Sequence, residues 1–175
     1  MTTVFTIGHS THSAEEFTKM LRRNGVDLVA DVRANPGSRR NPQFAPAALK
    51  ASLGEAGIGY TSIPELGGRR YSPVGDATEN AGWRNHSFRS YADYMQTEPF
   101  ASGIDTLLCL AGGRHVVIMC AEAVPWRCHR SLIGDALLVR GIDVVDIMSG
   151  TQTRPHTLTS FAHVDGERIT YPGTE

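Results

Sequence analysis

The segment VVIMCAEAVPWRCHRSLIGDALLVRGIDVVDIM, residues 116–148, decides the fold. It contains two short apolar runs, 116–120 and 144–148, and between them a stretch, 130–140, whose apolar residues recur at helical spacing. Gly141 supplies the stop signal that such a helix needs. A buried strand, a helix and a second buried strand in this order predict a βαβ unit with parallel strands.

The same alternation extends towards the N-terminus. Apolar runs predict strands at 4–7, 26–32 and 58–63. A capping box formed by Ser13 and Glu16 predicts the first helix, and Pro46, a helix opener, predicts the second. Helical spacing of Phe88, Tyr91 and Met95 continues through 100–110, and places Cys109 inside an apolar helix as a core residue. We therefore expect an α/β fold: a doubly wound, mostly parallel five-stranded sheet flanked by helices.

The expected domain organisation is simple. The chain has 175 residues, which suits one domain with its own core. We expect a single α/β domain over 1–150 and a C-terminal tail over 151–175 that packs on it. The Asp165-Gly166 dipeptide predicts a hairpin turn within that tail.

Composition excludes several function classes. The formal net charge of −1 gives no general attraction for nucleic acid, although a local basic patch stays open. No apolar run approaches the roughly 20 residues that cross a bilayer, and the first residues lack a signal-peptide pattern. An odd number of cysteines, three, favours free thiols in a reducing compartment. We expect a cytoplasmic protein without a membrane partner, and the oligomeric state stays open.

In doubly wound sheets, ligands bind beyond the carboxyl ends of the strands. This rule selects three polar loops: 8–13, 31–38 and 120–130. In the first loop, Gly8, Ser10 and Thr11 offer backbone N–H groups and hydroxyls to an anion at a helix start, or else form an ordinary capped turn. In the second, Asp31 and Arg33 lie on one side of an extended chain. Arg33 is suited to phosphate, carboxylate or sulfate, and the alternative is a structural Asp–Arg pair.

The third loop is the most unusual. Cys120 ends a buried strand, while Cys128, His129 and Arg130 stand at a helix start. Helix N-termini and arginines lower the pKa of a thiol, and the thiolate is the nucleophile. The structural alternative is that Cys120 is a small buried hydrophobe and that Glu122 pairs with an arginine.

Metal and redox roles are weaker possibilities for the same loop. Cys120, Cys128, His129, Glu122 and His9 are acceptable ligand types, but Cys-x7-Cys-His is not a familiar zinc spacing. No metal site is predicted, and the cofactor is undetermined. A reversible disulfide between Cys120 and Cys128 is a further alternative.

Five short motifs occur in order along the chain: Gly8-His9-Ser10, Asp31-Val32-Arg33, Leu66-Gly67-Gly68, Tyr91-Ala92-x-Tyr94-Met95, and Cys120-Ala121-Glu122 with Cys128-His129-Arg130. From about Thr6 to Ile147, this pattern resembles the domain of unknown function 488 family. The resemblance implies a compact α/β domain and supplies no established reaction.

A more distant likeness is to rhodanese-like domains. These also carry Asp-Val-Arg after an early strand, and a cysteine at a later strand end whose loop closes on Arg-Ser at a helix start. Cys120 and Arg130-Ser131 fill those places. The intervening loop has nine residues here, whereas the rhodanese-type loop is shorter and contains glycine. The likeness therefore concerns the fold and is no evidence of sulfur transfer.

The leading hypothesis is an enzyme, a transferase or hydrolase, that performs thiol-dependent chemistry on a small phosphate- or sulfur-bearing anion. Its candidate catalytic residues are Cys120, Glu122, His9, Asp31 and His129. Its candidate binding residues are Gly8, Ser10, Thr11, Arg33, Cys128 and Arg130. If Glu122 alone carries the chemistry, glycosyl or nucleoside transfer fits better. The alternatives are a nucleotide or nucleic-acid binding module, which is possible but not favoured, and a metal- or redox-binding protein.

Overall fold

The computed structural model describes residues 2–37 and 39–173. Four positions that the predicted ranges include lie outside the described residues: Met1, Ser38, Thr174 and Glu175. The helices are α1 (Ala14–Arg23), α2 (Pro46–Glu55), α3 (His86–Tyr94), α4 (Glu98–Ala111) and α5 (Arg130–Leu138). The strands are β1 (Thr3–Gly8), β2 (Leu28–Asp31), β3 (Gly59–Ser62), β4 (Val116–Cys120), β5 (Asp143–Ser149), β6 (Gln152–Pro155), β7 (His163–Asp165) and β8 (Arg168–Thr170).

The central sheet has six strands in the order β3-β2-β4-β1-β5-β6. The first five are parallel, and β6 pairs antiparallel with β5. The predicted doubly wound, mostly parallel α/β fold is confirmed, with one edge strand more than expected. All four residues of β6 are exposed, so no apolar alternation marked this strand in the sequence.

Two hydrophobic layers enclose the sheet. On one face, α1 and α2 bury Phe17, Leu21, Leu49 and Leu53 against β-strand residues such as Val29 and Ile147. On the other face, α3, α4 and α5 bury Tyr91, Ile104, Leu107, Leu132 and Ile133 against Ala30 and Ile118. A strand that is buried on both faces has a continuous apolar sequence, which is why β4 could be predicted from the sequence.

Helix α1 begins where the predicted capping box of Ser13 and Glu16 places its start. Ser13 is the N-cap, and its side chain accepts a hydrogen bond from the backbone N–H of Glu16 at 3.1 Å. This bond satisfies one of the N–H groups that a helix start leaves without a partner. The predicted capping box is confirmed at that bond, and it sets where the chain leaves the first loop.

The helical region after residue 86 differs from the sequence prediction in two ways. It is two helices, α3 and α4, because Pro99 near the start of α4 has no N–H to continue the earlier helix. Cys109 is exposed, so its prediction as a core residue was wrong. It stands two residues after the buried Leu107, and two residues turn a helix by roughly 200°, to the opposite face.

The segment after β5 returns to the main fold. β7 and β8 form an antiparallel hairpin whose turn contains Gly166 with φ of 62°. Ile169 and Tyr171 bury their side chains in the core on the α3–α5 face. No helix among the described residues combines the length and the apolar character that crossing a membrane requires.

The strand order creates a crevice at one point of the sheet. β1 and β4 are neighbours, but α1 follows β1 on one face and α5 follows β4 on the other. The two chains therefore diverge beyond Gly8 and Cys120, which are partners in the sheet register. This is the topological switch point at which doubly wound sheets bind ligands.

Candidate functional site

The three polar loops meet at the switch point. The backbone N–H of His9 donates to the carbonyl of Cys120 at 2.9 Å, and that of Ser10 donates to Ala121 at 3.0 Å. The ring of His129 reaches the carbonyl of Val32 at 2.7 Å and so joins the third loop to the second. The predicted convergence of the loops at the carboxyl edge is therefore present in the structure.

A pocket of about 420 Å³ opens between these loops and the segment that leads into α3. Five predicted site residues line it, namely Arg33, Cys120, Glu122, Cys128 and His129. The other lining residues are Ala34, Asn35, Gly68, Arg69, Ser87, Phe88, Ala121 and Arg127. The remaining predicted residues, Gly8, His9, Ser10, Thr11, Asp31 and Arg130, lie beside the pocket and not on its wall.

The two cysteines in the pocket wall differ in the pKa of their thiols. Both are buried, and they line the same pocket. Burial alone raises the pKa of the Cys120 thiol, but its interaction with the Cys128 side chain and the charge of Arg130 together bring that pKa below its usual value. Burial and the neighbouring Cys120 raise the pKa of Cys128 well above its usual value. Cys120 is therefore the thiol of the pair that ionises more readily.

His129 is a neutral base beside this pair. Burial lowers the pKa of His129 to about 4, so the ring carries a single proton at neutral pH. Because Nε2 lies 2.7 Å from the carbonyl oxygen of Val32, that nitrogen is the donor. Nδ1 is then the acceptor in its hydrogen bond with Cys128, whose S–H donates to it at 3.3 Å. A side chain at Gly68 would approach within 2.5 Å of this nitrogen, so the glycine leaves room for the ring.

Arg33 is a cation held in one orientation. Its guanidinium pairs with both carboxylate oxygens of Asp31, with Nε at 2.9 Å from Oδ1 and Nη2 at 2.7 Å from Oδ2. Tyr60 donates to the same carboxylate at 2.6 Å. Burial and this carboxylate raise the pKa of Tyr60 to about 12, so its hydroxyl stays protonated. Asp31 therefore positions Arg33 at the pocket wall and does not face the pocket itself.

The rim of the pocket is cationic. Arg69 and Arg127 are exposed there, and neither side chain has a hydrogen-bond or ion-pair partner among residues 2–37 and 39–173. Glu122 is exposed in the same wall, and it is the one carboxylate that lines the pocket within the described part of the chain. Because Asp31 compensates the charge of Arg33, the excess is the two rim arginines against one glutamate, which still favours an anionic ligand.

The first loop packs against the third loop and supports the site. Gly8 lies so close to the third loop that a Cβ there would overlap the carbonyl oxygen of Glu122. The ring of His9 stacks on Phe44 at 4.3 Å between ring centres, and burial lowers the pKa of His9. The N–H groups of His9 and Ser10, which the sequence offered to an anion, are already bonded to the third loop. Thr11 is exposed in the turn.

Arg130 holds the third loop in shape. Its side chain is 0% exposed. Nη1 donates to Thr6 at 3.0 Å, and Nη2 donates to the carbonyl oxygens of Glu122 at 3.2 Å and Ala123 at 3.1 Å. Arg130 therefore contributes to the pocket through its charge near Cys120 and through its hydrogen bonds to the loop backbone. It is not placed for direct contact with a ligand in the pocket.

Part of the pocket wall was not predicted from the sequence. Gly68 and Arg69 come from the segment between β3 and α3, and Ser87 and Phe88 lie in the first turn of α3, so none of them follows a parallel strand end. The available signals were the length of that Gly- and Arg-rich segment and the Leu66-Gly67-Gly68 motif. Phe88 was assigned to a packing stripe, whereas the structure places it at the pocket as well as against the core.

Across residues 2–37 and 39–173, no group of three or more His, Cys, Asp or Glu side chains is arranged to hold a metal ion.

Comparison with protein families gives one match. The family described as "Domain of unknown function DUF488" matches residues 13–137, which include α1 to α4 and most of α5. The comparisons with curated proteins and with solved structures found no significant match.

Proposed function

Because the chain belongs to the DUF488 family, whose description assigns no activity, we propose a function from the site itself: thiol-dependent group transfer or hydrolysis on a small phosphate- or sulfur-bearing anion. The observation that carries this proposal is the position of Cys120. Its thiol, with a lowered pKa, lies in the wall of a cationic pocket at the switch point of the sheet.

The arginines provide the binding step. Arg33 is fixed by Asp31, while Arg69 and Arg127 are exposed at the rim. An anionic group between these guanidiniums gains charge-assisted hydrogen bonds and is held against the thiolate. This arrangement accounts for a phosphate or sulfur oxyanion better than for a neutral substrate.

The two cysteines and His129 provide the chemistry. The Cys120 thiolate attacks the phosphorus or sulfur atom, forms a covalent bond to it, and displaces the leaving group, which takes the proton of Cys128. Water or a second acceptor then attacks the adduct and releases Cys120. Nδ1 of His129 takes the proton of that acceptor and passes it to the Cys128 thiolate 3.3 Å away, so that both groups return to their starting state.

The direct test is to trap the adduct. We expect incubation with p-nitrophenyl phosphate or thiosulfate to leave a phosphoryl or sulfur adduct on Cys120, detected by mass spectrometry of the protein and its peptides. Cys120→Ala should abolish both adduct and turnover, and Cys109→Ala should change neither, because Cys109 is exposed on α4 outside the pocket. Turnover that survives Cys120→Ala and is lost in Glu122→Ala would assign the chemistry to Glu122 and contradict the proposal.

The binding step has its own prediction. Inorganic phosphate should slow alkylation of Cys120 by iodoacetamide, since both compete for the pocket. Arg69→Ala and Arg127→Ala should each weaken this protection about fivefold, roughly 1 kcal/mol for an exposed charge-assisted contact. Arg23→Ala, which removes an exposed arginine in α1 far along the chain from the lining residues, is the matched control. Equal protection in all three variants would remove the rim arginines from the binding site.

A further inference from the structure

The third loop brings two thiols to one place. Cys120 ends β4, and the chain returns through a single 3-10 turn at Pro125–Arg127 to put Cys128 in the same pocket wall. The two side chains are near enough for each to affect the pKa of the other. Cys109, the third cysteine, is exposed on α4 and lines no part of this pocket.

The loop that joins the thiols is held at both ends. Ser131 donates to the carbonyl of Cys128 at 3.0 Å, and the Cys128 N–H donates to Pro125 at 3.1 Å. Arg130 holds the other end through the carbonyls of Glu122 and Ala123. Residues 121–123 are exposed, so this part of the loop can adjust to a disulfide, whose S–S bond measures about 2.05 Å.

The two thiols differ in the way that a redox pair requires. An attacking cysteine reacts as its thiolate, and the Cys128 side chain and the Arg130 charge favour ionisation of Cys120. The second cysteine must lose its proton at the moment it attacks. Nδ1 of His129 accepts a hydrogen bond from the Cys128 S–H at 3.3 Å and is placed to take that proton.

We propose that Cys120 and Cys128 form a dithiol that reduces hydroperoxides in this pocket and closes to a reversible disulfide. The Cys120 thiolate attacks one peroxide oxygen, the O–O bond breaks, and the other oxygen leaves as water or an alcohol after protonation. Cys120 is then a sulfenic acid. The Cys128 sulfur attacks the Cys120 sulfur, His129 takes the Cys128 proton, and hydroxide leaves and becomes water. The peroxide gains two electrons, the two thiols lose them, and an external dithiol restores the pair.

This inference goes beyond the function proposed above. It requires Cys128 as an electron source and needs no anion, whereas group transfer leaves both cysteines reduced. The two proposals can therefore fail separately.

The test treats the reduced protein with one equivalent of hydrogen peroxide at pH 7 and maps the cysteines by mass spectrometry. In the wild-type protein we expect a Cys120–Cys128 disulfide that dithiothreitol reverses, formed about tenfold faster than any oxidation of Cys109. Cys128→Ser should stop at a sulfenic acid on Cys120, which dimedone traps. Cys109→Ser should form the disulfide at the wild-type rate.

Two results in the wild-type protein alone would overturn the inference, so folding of a variant is not needed to decide it. One is oxidation of Cys120 to sulfinic acid while Cys128 stays reduced. The other is oxidation of Cys109 as fast as that of the pair. If either occurs while phosphate still protects Cys120 of Cys128→Ser from iodoacetamide, the redox inference fails and the anion site stands.

Discussion

The reactivity of Cys120 is set by a few neighbouring groups and not by exposure, since its side chain is only 2% exposed. Burial opposes ionisation of this thiol, and the interaction with the Cys128 side chain and the Arg130 charge favour it. Their balance lowers the pKa of Cys120. Cys128 therefore matters even where it contacts no substrate, because its side chain favours ionisation of Cys120.

Cys128→Ala removes the side chain that helps to lower the pKa of Cys120, and should therefore raise that pKa. We expect the pH profile of Cys120 alkylation to move to higher pH, with a rate at pH 7 about tenfold lower, which corresponds to one pKa unit. Cys128→Ser keeps a donor and should move the profile less. A profile that does not change in Cys128→Ala would show that the thiolate does not depend on this contact.

At the scale of elements, the site depends on the close approach of two chain segments beyond β1 and β4. Gly8 stands at this crossing, where the backbone of Glu122 occupies the space of a side chain. Two backbone hydrogen bonds, from His9 to Cys120 and from Ser10 to Ala121, extend the pairing past the strand ends. The crossing fixes the loop that carries both cysteines.

Gly8→Ala should therefore destabilise the protein by about 3 kcal/mol, because rigid backbone at the crossing cannot move aside. Gly54→Ala is the matched control. Gly54 lies within α2 and a Cβ there meets nothing within 4 Å, so alanine should stabilise the helix by up to about 1 kcal/mol. Urea denaturation of both variants measures the difference. Similar unfolding free energies for the Gly8→Ala and Gly54→Ala variants would contradict the close approach of the two chain segments at Gly8.

The elements that could be predicted from sequence are those whose local pattern is strong. Strands buried on both faces, such as β4, showed as apolar runs, and polar residues at their carboxyl ends indicated Cys120 and Arg33. β6 was not predicted, because it is an exposed edge strand without apolar alternation. Arg69, between β3 and α3, and Phe88, in α3, were not selected because both reach the pocket through tertiary packing, which no strand-end rule describes.

At the scale of the whole molecule, a buried polar network ties the last residues to the sheet. His156 lies between two carboxylates, 2.9 Å from Asp135 through Nε2 and 3.5 Å from Asp146 through Nδ1. Tyr171 and Thr159 donate to Asp135 at 2.8 and 2.6 Å. The network joins α5, β5 and the segment that follows β6, so its charge state affects the stability of the whole fold.

Burial lowers the pKa of His156, but the two carboxylates outweigh it and raise that pKa to about 9. The stabilising contribution of the charged ring is complete below about pH 6.5, its unfolded value, and is lost as the pH rises through about 9. Arg130 also faces Asp146, and Arg154 lies 3.9 Å from it. We expect unfolding free energy to fall by roughly 2 kcal/mol between pH 6 and pH 9.5.

His156→Gln is the comparison for this pH effect. The variant has no titrating ring, so its unfolding free energy in urea should change less over the same pH interval than that of the wild-type protein. A pH dependence that is the same in both proteins would show that other groups are responsible.

The central claim is that the switch-point pocket holds an anion beside an activated Cys120 thiolate. The most direct test is the rate of iodoacetamide labelling of each cysteine in the wild-type protein, measured against pH with and without inorganic phosphate. The account predicts a half-maximal rate for Cys120 at a pH below the usual thiol pKa of about 8.5, slower labelling of Cys128, and protection of Cys120 by phosphate. Labelling of Cys120 with an ordinary thiol profile, unaffected by phosphate, would contradict it.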